Sequence, residues 1–486
     1  MSAAFADTQR TLTSEELVAA EQQASAWLAK TSDASVRYGL FADNGIAWAI
    51  VDRALHRSSF VNVPLPRHFS EAQLAHVVED ADLDRIMTDD PHKLYQLPGD
   101  WRRIDDGILG LQCWARSRPS EQRRLGQRRI PPDTCKVTYT SGSTGNPKGV
   151  CLSRASMDSV VHSLVSVLRP LAVRRHLSLL PLSTLLDNLV SLQVAPALGA
   201  TVSLPSLGET GVGYGGIDIP RMLACVDHYS PESLLLVPEL LRVLVASVAK
   251  GWRAPANLKF IAVGGASVSP ELLTAAHAVG LPAYEGYGLS ECASVVALNR
   301  PGAARHGSVG RVLPHARVRI DEAGEIYVRG ATMSGYLGAD ERVNDEVATG
   351  DLGFIDADGF LHVRGRRKNL LITSLGRNVS PEWVERELLA SGLLAQAVVF
   401  GESKPFLSCL IYPSSPMVNA AELGAAIDAA NRRLPDYAQV RRWALLPQPL
   451  RLADETVTAN GRTRRDVVFS RYQNLIEDMY VDAIAS

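Results

Sequence analysis

Two hydrophobic periods alternate through the first 129 residues. Apolar positions recur at helical spacing in Glu15 to Leu28, Ile46 to Leu55 and Glu71 to Val78, and short apolar runs such as Val61-Asn62-Val63 and Arg85-Ile86-Met87-Thr88 lie between them. That alternation predicts an α/β layer with parallel strands. The polar, basic stretch Arg116 to Arg129 reads as a solvated connector. A strand-like run, Cys135 to Thr140, then passes into a Gly- and hydroxyl-rich segment and returns to apolar residues at Val150-Cys151-Leu152, which reads as strand, loop, strand. Ser153 is placed to cap a helix reaching Leu168, with His162 as a structural side chain inside it. Leu234 to Pro238 reads as a buried strand stopped by proline and followed by an amphipathic helix to about Ala249; Phe260 to Val263 is a further strand. Between Gly307 and Gly335 short strands predict a small β-rich subdomain with a hairpin of Ala316 to Ile320 and Glu325 to Arg329. Later, Ser380 reads as a helix cap with Pro381 at the first helical position and Glu382 and Glu385 favourable near the helix N-terminus. Strands at Gln396 to Phe400 and Leu407 to Tyr412 follow, then helices around Glu422 to Arg433 and Arg465 to Ile476.

Composition narrows the class. The chain has 486 residues, 46% of them hydrophobic, and a formal net charge of -2, which fits a globular protein of two or more domains without the basic excess of a nucleic-acid binder. Its six cysteines are scattered with no Cys-x-x-Cys pair, so neither a zinc site nor a disulfide framework is expected, and a cytoplasmic setting fits. The apolar region Leu177 to Pro205 is broken by Pro181, Asp187, Asn188 and Pro196, so no transmembrane segment is expected.

The densest chemistry lies in Thr138-Tyr-Thr140-Ser141-Gly142-Ser143-Thr144-Gly145-Asn-Pro-Lys148-Gly-Val150. Such a loop turns backbone N–H groups toward an anion, its hydroxyls add donors or a metal contact, and Lys148 adds a point charge. A polyphosphate is the natural guest. It is not a Walker A loop, because Pro147 precedes the lysine and Gly149 follows it. Gly264-Gly265-Ala266 lies beyond the end of a predicted strand, where ligands of doubly wound sheets collect.

The ordered loop closely resembles the phosphate loop of the adenylate-forming superfamily: acyl-CoA synthetases, peptide-synthetase adenylation domains and luciferases. Further blocks resemble the same family in the same order: Gly264-Gly265-Ala266, then Tyr284-Glu285-Gly286-Tyr287-Gly288-Leu289-Ser290-Glu291, then Thr349-Gly350-Asp351 and Gly365-Arg366. The resemblance implies a large amino-terminal domain, 1–367, of α/β subdomains with a β-rich subdomain. A small mobile α+β domain, 368–486, would be hinged at Lys368. It implies that Thr140 to Gly145 and Lys148 hold phosphates, with Thr144 and Glu291 toward Mg2+. Gly265, Ala266 and Glu285 to Gly288 would surround the nucleotide, Ser290 the α-phosphate, and Asp351 and Arg366 the ribose. Gly376-x-Asn378-Val-Ser-Pro381 would approach a thiol after domain rotation. Leu180 to Asn188 resembles the border of the carboxylate pocket, although it lacks the His or aromatic common near Thr184; Asp187 and Asn188 read equally as a helix N-cap. At the family's late Asn-Gly-Lys signature stands Asn460-Gly461-Arg462, a non-conservative exchange. The implied reaction is ATP-dependent activation of a carboxylic acid, fatty or otherwise apolar, to an acyl adenylate, followed by transfer to CoA or a phosphopantetheine carrier protein. An amide ligase and, because of Arg462, a non-catalytic nucleotide-binding homologue are the alternatives.

Overall fold

The computed structural model describes residues 3–31, 36–117, 130–140, 147–213, 216–339, 346–374, 377–458 and 461–480. The first predicted helices form at Ser14–Thr31, Ile46–Arg57 and Glu71–Asp80. The third opens with a capping box: Ser70 accepts from the Gln73 backbone N–H, and the Gln73 side chain accepts from the Ser70 N–H. An eight-stranded sheet carries Arg37–Phe41 between Val61–Pro64 and Arg85–Thr88. These strands are parallel, as the alternation predicts, but the sheet is mixed because hairpins close both flanks.

One polar cluster lies sealed in this layer. Lys136, 1% exposed, sits in the strand Thr134–Thr140 with its Nζ 2.8 Å from Asp52 Oδ1 and 2.5 Å from Asn188 Oδ1. Asn62, its neighbour across the parallel ladder, donates to the same Asp52 oxygen at 2.6 Å.

A second, 13-stranded sheet organises the site. Thr201–Ser203, Arg175–Leu177, Ser233–Leu236, Phe260–Val263 and Ala283–Leu289 run parallel. Ala283–Leu289 pairs antiparallel with Ser294–Leu298 on its other edge, and the sheet continues antiparallel through Phe360–Arg366 and Glu346–Ile355 to the hairpin Ala316–Ile320 and Glu325–Gly330. The β-rich subdomain expected from the short strands is therefore the antiparallel half of this sheet. Asn44 ties the two sheets: its Nδ2 donates to Leu180 O at 2.8 Å and its Oδ1 accepts from Leu182 N at 2.8 Å.

The last part of the chain packs Leu394–Phe400, Leu407–Pro413 and Val440–Leu445 as a three-stranded sheet, with the helices Pro381–Leu389 and Ala420–Asn431 sharing one core with it. Three expectations from the sequence are corrected here. Ser380 occupies the cap position but makes no cap bond; its Oγ donates to Arg364 O at 3.1 Å, fastening the helix to the long sheet. Glu385 is buried and does not serve the helix end. It accepts from Val399 N at 2.8 Å and pairs with Arg465. The final helix is two, Arg465–Arg471 and Gln473–Asp478.

Candidate active site

The hairpin that holds the candidate loop closes as the alternation predicts. Thr134–Thr140 and Lys148–Ser153 are antiparallel, and Thr140 faces Lys148 across the ladder. Ser141, Gly142, Ser143, Thr144 and Gly145 lie outside the described residues. Beside the hairpin, Gly335–Tyr336 adds a short strand to Lys148–Ser153 and brings the Tyr336 ring to 5.9 Å from Lys148 Nζ. Tyr336 Oη donates to Glu291 Oε1 at 3.0 Å, while the Glu291 carbonyl accepts from Met333 N at 2.8 Å. Lys148, Tyr336 and Glu291 thus form one wall. Burial, followed by the adjacent Glu291 carboxylate, pushes the Tyr336 phenol well above its ordinary range, so it stays a donor.

The opposite wall is built from Asp351 and Arg366, directly paired in the antiparallel ladder. Asp351 accepts from Arg366 Nε at 2.8 Å and from Tyr287 Oη at 2.7 Å. Burial opposes the Arg366 charge, but Asp351, with Tyr287 and Glu291, outweighs it and raises the guanidinium pKa. Arg462 completes the ring: its Nε donates to Gly265 O at 3.0 Å. Arg462 is exposed at the surface; desolvation and then the like charge of Arg366 lower its pKa.

A cavity of about 960 Å³ joins these walls, with Thr140, Lys148, Gly265, Glu291, Arg366 and Arg462 among its lining residues. Gly286, Tyr287, Gly288 and Ser290 also line it, whereas Ala266, Glu285 and Asp351 stand behind its surface. Gly265 has φ +83°, a left-handed conformation that favours glycine. Gly288 is needed for packing: a Cβ there would fall 1.6 Å from Ser294 O. Glu285 is buried and accepts from Val268 N at 3.2 Å, so it braces the Gly264–Val268 turn; burial raises its pKa to about 7.

From the end lined by Lys148, Glu291 and Arg366 the cavity continues between Leu164, Leu168, Val190, Val194, Phe260 and Ala262. The segment Val190–Val194 is a π-helix continuing from Leu185–Leu189, a local widening often found at binding sites. Neither Asp187 nor Asn188 caps a helix. Thr184 holds the cap position, Asn188 accepts from Lys136, and Asp187 is fully buried, accepting from Ser178 and, at 2.9 Å, from Ser191. Burial raises the Asp187 pKa from 3.8 to about 7 against those two hydrogen bonds. Between these values the folded protein keeps a proton that the unfolded chain has lost, so stability falls as pH rises through that window, by about 1.4 kcal/mol for each pH unit crossed. Asp187→Asn is expected to flatten the slope. Unfolding midpoints of both proteins, measured across this range, should converge at the acid end and diverge toward neutrality in favour of the variant.

Tyr336 and the network around Asp187 escape local motif reading, because tertiary pairing alone brings them to the site. His362, in the strand Phe360–Arg366, lies 2.9 Å from Asp356 Oδ2, away from the cavity.

The AMP-binding enzyme profile matches residues 2–337, and the profile of the AMP-binding enzyme C-terminal domain matches residues 368–483. The chain belongs to the AMP-binding enzyme family. Within it the chain is an adenylate-forming protein of the acyl-CoA synthetase-like kind. It is 26% identical to the long-chain-fatty-acid–CoA ligase FadD15 of Mycobacterium bovis, over 91% of this chain and 88% of that one. It is 28% identical to the indoleacetate–CoA ligase of Aromatoleum aromaticum, over 70% and 67%. The fold matches that of o-succinylbenzoate CoA synthetase MenE from Bacillus subtilis, solved with its acyl-adenylate intermediate, at a TM-score of 0.74 and 22% identity, covering 96% of this chain and 94% of that one.

Proposed function

We propose that the protein is an AMP-forming acid–thiol ligase for apolar carboxylic acids. The substrate carboxylate attacks the α-phosphorus of ATP; an oxygen–phosphorus bond forms, the bond to the β-phosphate breaks, and pyrophosphate leaves with its electron pair. The acyl group of the resulting adenylate then passes to the sulfur of CoA, releasing AMP. One observation carries this reading: Lys148, Glu291, Arg366 and Arg462 meet at one end of a chamber whose other end is apolar. Lys148 holds the outer phosphates, Arg366, oriented by Asp351 behind it, holds the ribose, and Arg462 stands where negative charge gathers between carboxylate and phosphate. Glu291 suits a magnesium ion, which protein sites hold through one or two carboxylates plus substrate phosphates. Magnesium, when bound with ATP, neutralises phosphate charge.

Residues 368–486 act as a mobile domain turning at Lys368, which withdraws Arg462 and brings Asn378-Val379-Ser380 toward the thiol. The similar proteins named as CoA ligases support a thiol acceptor over an amine, and CoA over a carrier protein. Among the described residues, no helix is long and apolar enough to cross a membrane.

The test is acid-dependent exchange of labelled pyrophosphate into ATP across a panel of aliphatic and aryl acids. Magnesium-dependent exchange with at least one apolar acid is expected. No exchange with any acid, alongside measurable ATP binding, would refute the proposal.

A further inference from the structure

The apolar arm of the chamber carries one polar feature that the adenylation chemistry does not use. His176 and Ser233 line it among leucines and valines. They are direct neighbours on parallel strands, and both side chains project to the cavity face of the sheet. His176 Nδ1 lies 2.8 Å from Ser233 Oγ, and Nε2 lies 3.0 Å from Ser191 Oγ in the π-helix above.

The proton order of this chain follows from Asp187. Once Asp187 is ionised, above its raised pKa of about 7, both its oxygens accept serine protons, from Ser178 and Ser191. Ser191 has then spent its only proton and must accept from His176 Nε2–H. Nδ1 is left as an acceptor and takes the Ser233 proton. The Ser233 oxygen keeps free lone pairs, and it is the member of the chain that faces the cavity with no other side-chain partner among the described residues. The ring stays neutral because full burial lowers its pKa to about 4. A neutral, oriented acceptor at the wall of an apolar tube suits a hydroxyl donor, since leaving either group unpaired there is costly.

Its depth sets where that hydroxyl must lie. Ser233 pairs with Phe260, four residues before Gly264, so it stands roughly 13 Å along the strand from the turn where the carboxyl is activated. We infer that the preferred substrate is a medium-chain acid bearing a hydroxyl near its far end, read by Ser233 with His176, Ser191 and Asp187 as positioning residues. This deepens the acid–thiol ligase reading and rests on it.

The probes are 8-hydroxyoctanoate, 10-hydroxydecanoate and 12-hydroxydodecanoate, each against its unsubstituted parent, in pyrophosphate exchange and in calorimetric binding. One hydroxy acid of the series should exceed its parent in kcat/KM by about threefold to tenfold, the worth of one neutral hydrogen bond. Ser233→Ala should abolish or reverse that ratio, because the tail hydroxyl would then be buried without a partner. Ser233→Thr, which keeps the hydroxyl, should retain it. Parents equal to or better than every hydroxy acid in the wild type would overturn the inference, as would a preference unchanged in Ser233→Ala. A hydroxy-acid preference in binding with no exchange for any acid would sink the ligase reading while leaving the Ser233 assignment standing.

Discussion

Arg462→Ala is expected to slow adenylate formation about a hundredfold to a thousandfold, the usual loss when one preorganised contact to a developing charge is removed. Transfer from a chemically supplied acyl adenylate should stay near the wild-type rate, because the carboxylate and α-phosphate are by then already joined. Arg462 reaches across from the last segment of the chain to hold Gly265 O at 3.0 Å, so it is positioned before substrate arrives. Desolvation and then the like charge of Arg366 lower its pKa, and an incoming carboxylate and phosphate would offset that repulsion. Arg462→Lys separates charge from shape. A lysine restores a compact ammonium but cannot keep both the Gly265 contact and a planar fork toward the anions. Rapid-quench measurement of acyl-adenylate formation decides the matter. A rate for Arg462→Ala within about twofold of wild type, far short of the expected loss, would make Arg462 a bystander and leave the role to Lys148 or Arg366.

Much of the architecture could be read from residue order because the relevant interactions are local. Ser153 caps the helix it precedes. Pro238 and Pro381 begin helices after strands, and the strand-loop-strand reading around Lys148 holds down to the Thr140–Lys148 pair. Where local reading failed, a tertiary partner had claimed the side chain. Ser380 has the right residue type and position for a cap, yet Arg364 O takes its hydroxyl. Glu385 looked like a solvated helix-start carboxylate until the strand Leu394–Phe400 and Arg465 enclosed it, and burial then raised its pKa to about 7. Asp187 is the same lesson at the site: the partners that decide its role, Ser178 and Ser191, come from a neighbouring strand end and the next helical turn. Resemblance drew attention to Arg366 and Asp351, and the ladder pairing of the two explains why those residue types sit together. Tyr336 had no motif to mark it, since it is a site residue only through pairing with Val150.

Lys136 is where a sequence-invisible feature has the largest stability consequence. In the run Cys135 to Thr140 it occupies a position that a half-buried strand would turn to water, yet it is sealed against Asp52, itself 0% exposed. Lys136→Met should lower stability by about 3–5 kcal/mol, because it strips the counter-charge from a carboxylate that has no route to solvent. Asn62 still donates to Asp52, but one neutral amide does not replace an ammonium. Asp52→Leu alone should be similarly damaging, since among the described residues Lys136 would then keep only Asn188 as a side-chain partner. The double variant Lys136→Met with Asp52→Leu should recover most of the loss, as a buried pair exchanged for apolar groups is often close to neutral. Urea unfolding followed by tryptophan fluorescence measures all three, and a coupling energy of several kcal/mol between the two positions is the expected result. The cost should reach the site as well. Lys136 shares a strand with Thr140 and pairs through Asn188 with the helical segment that walls the apolar end of the cavity, so a single variant that still folds should bind acid more weakly than the double variant does. A loss under about 1 kcal/mol for Lys136→Met, the range of exposed ion pairs, would mean that water reaches this cluster.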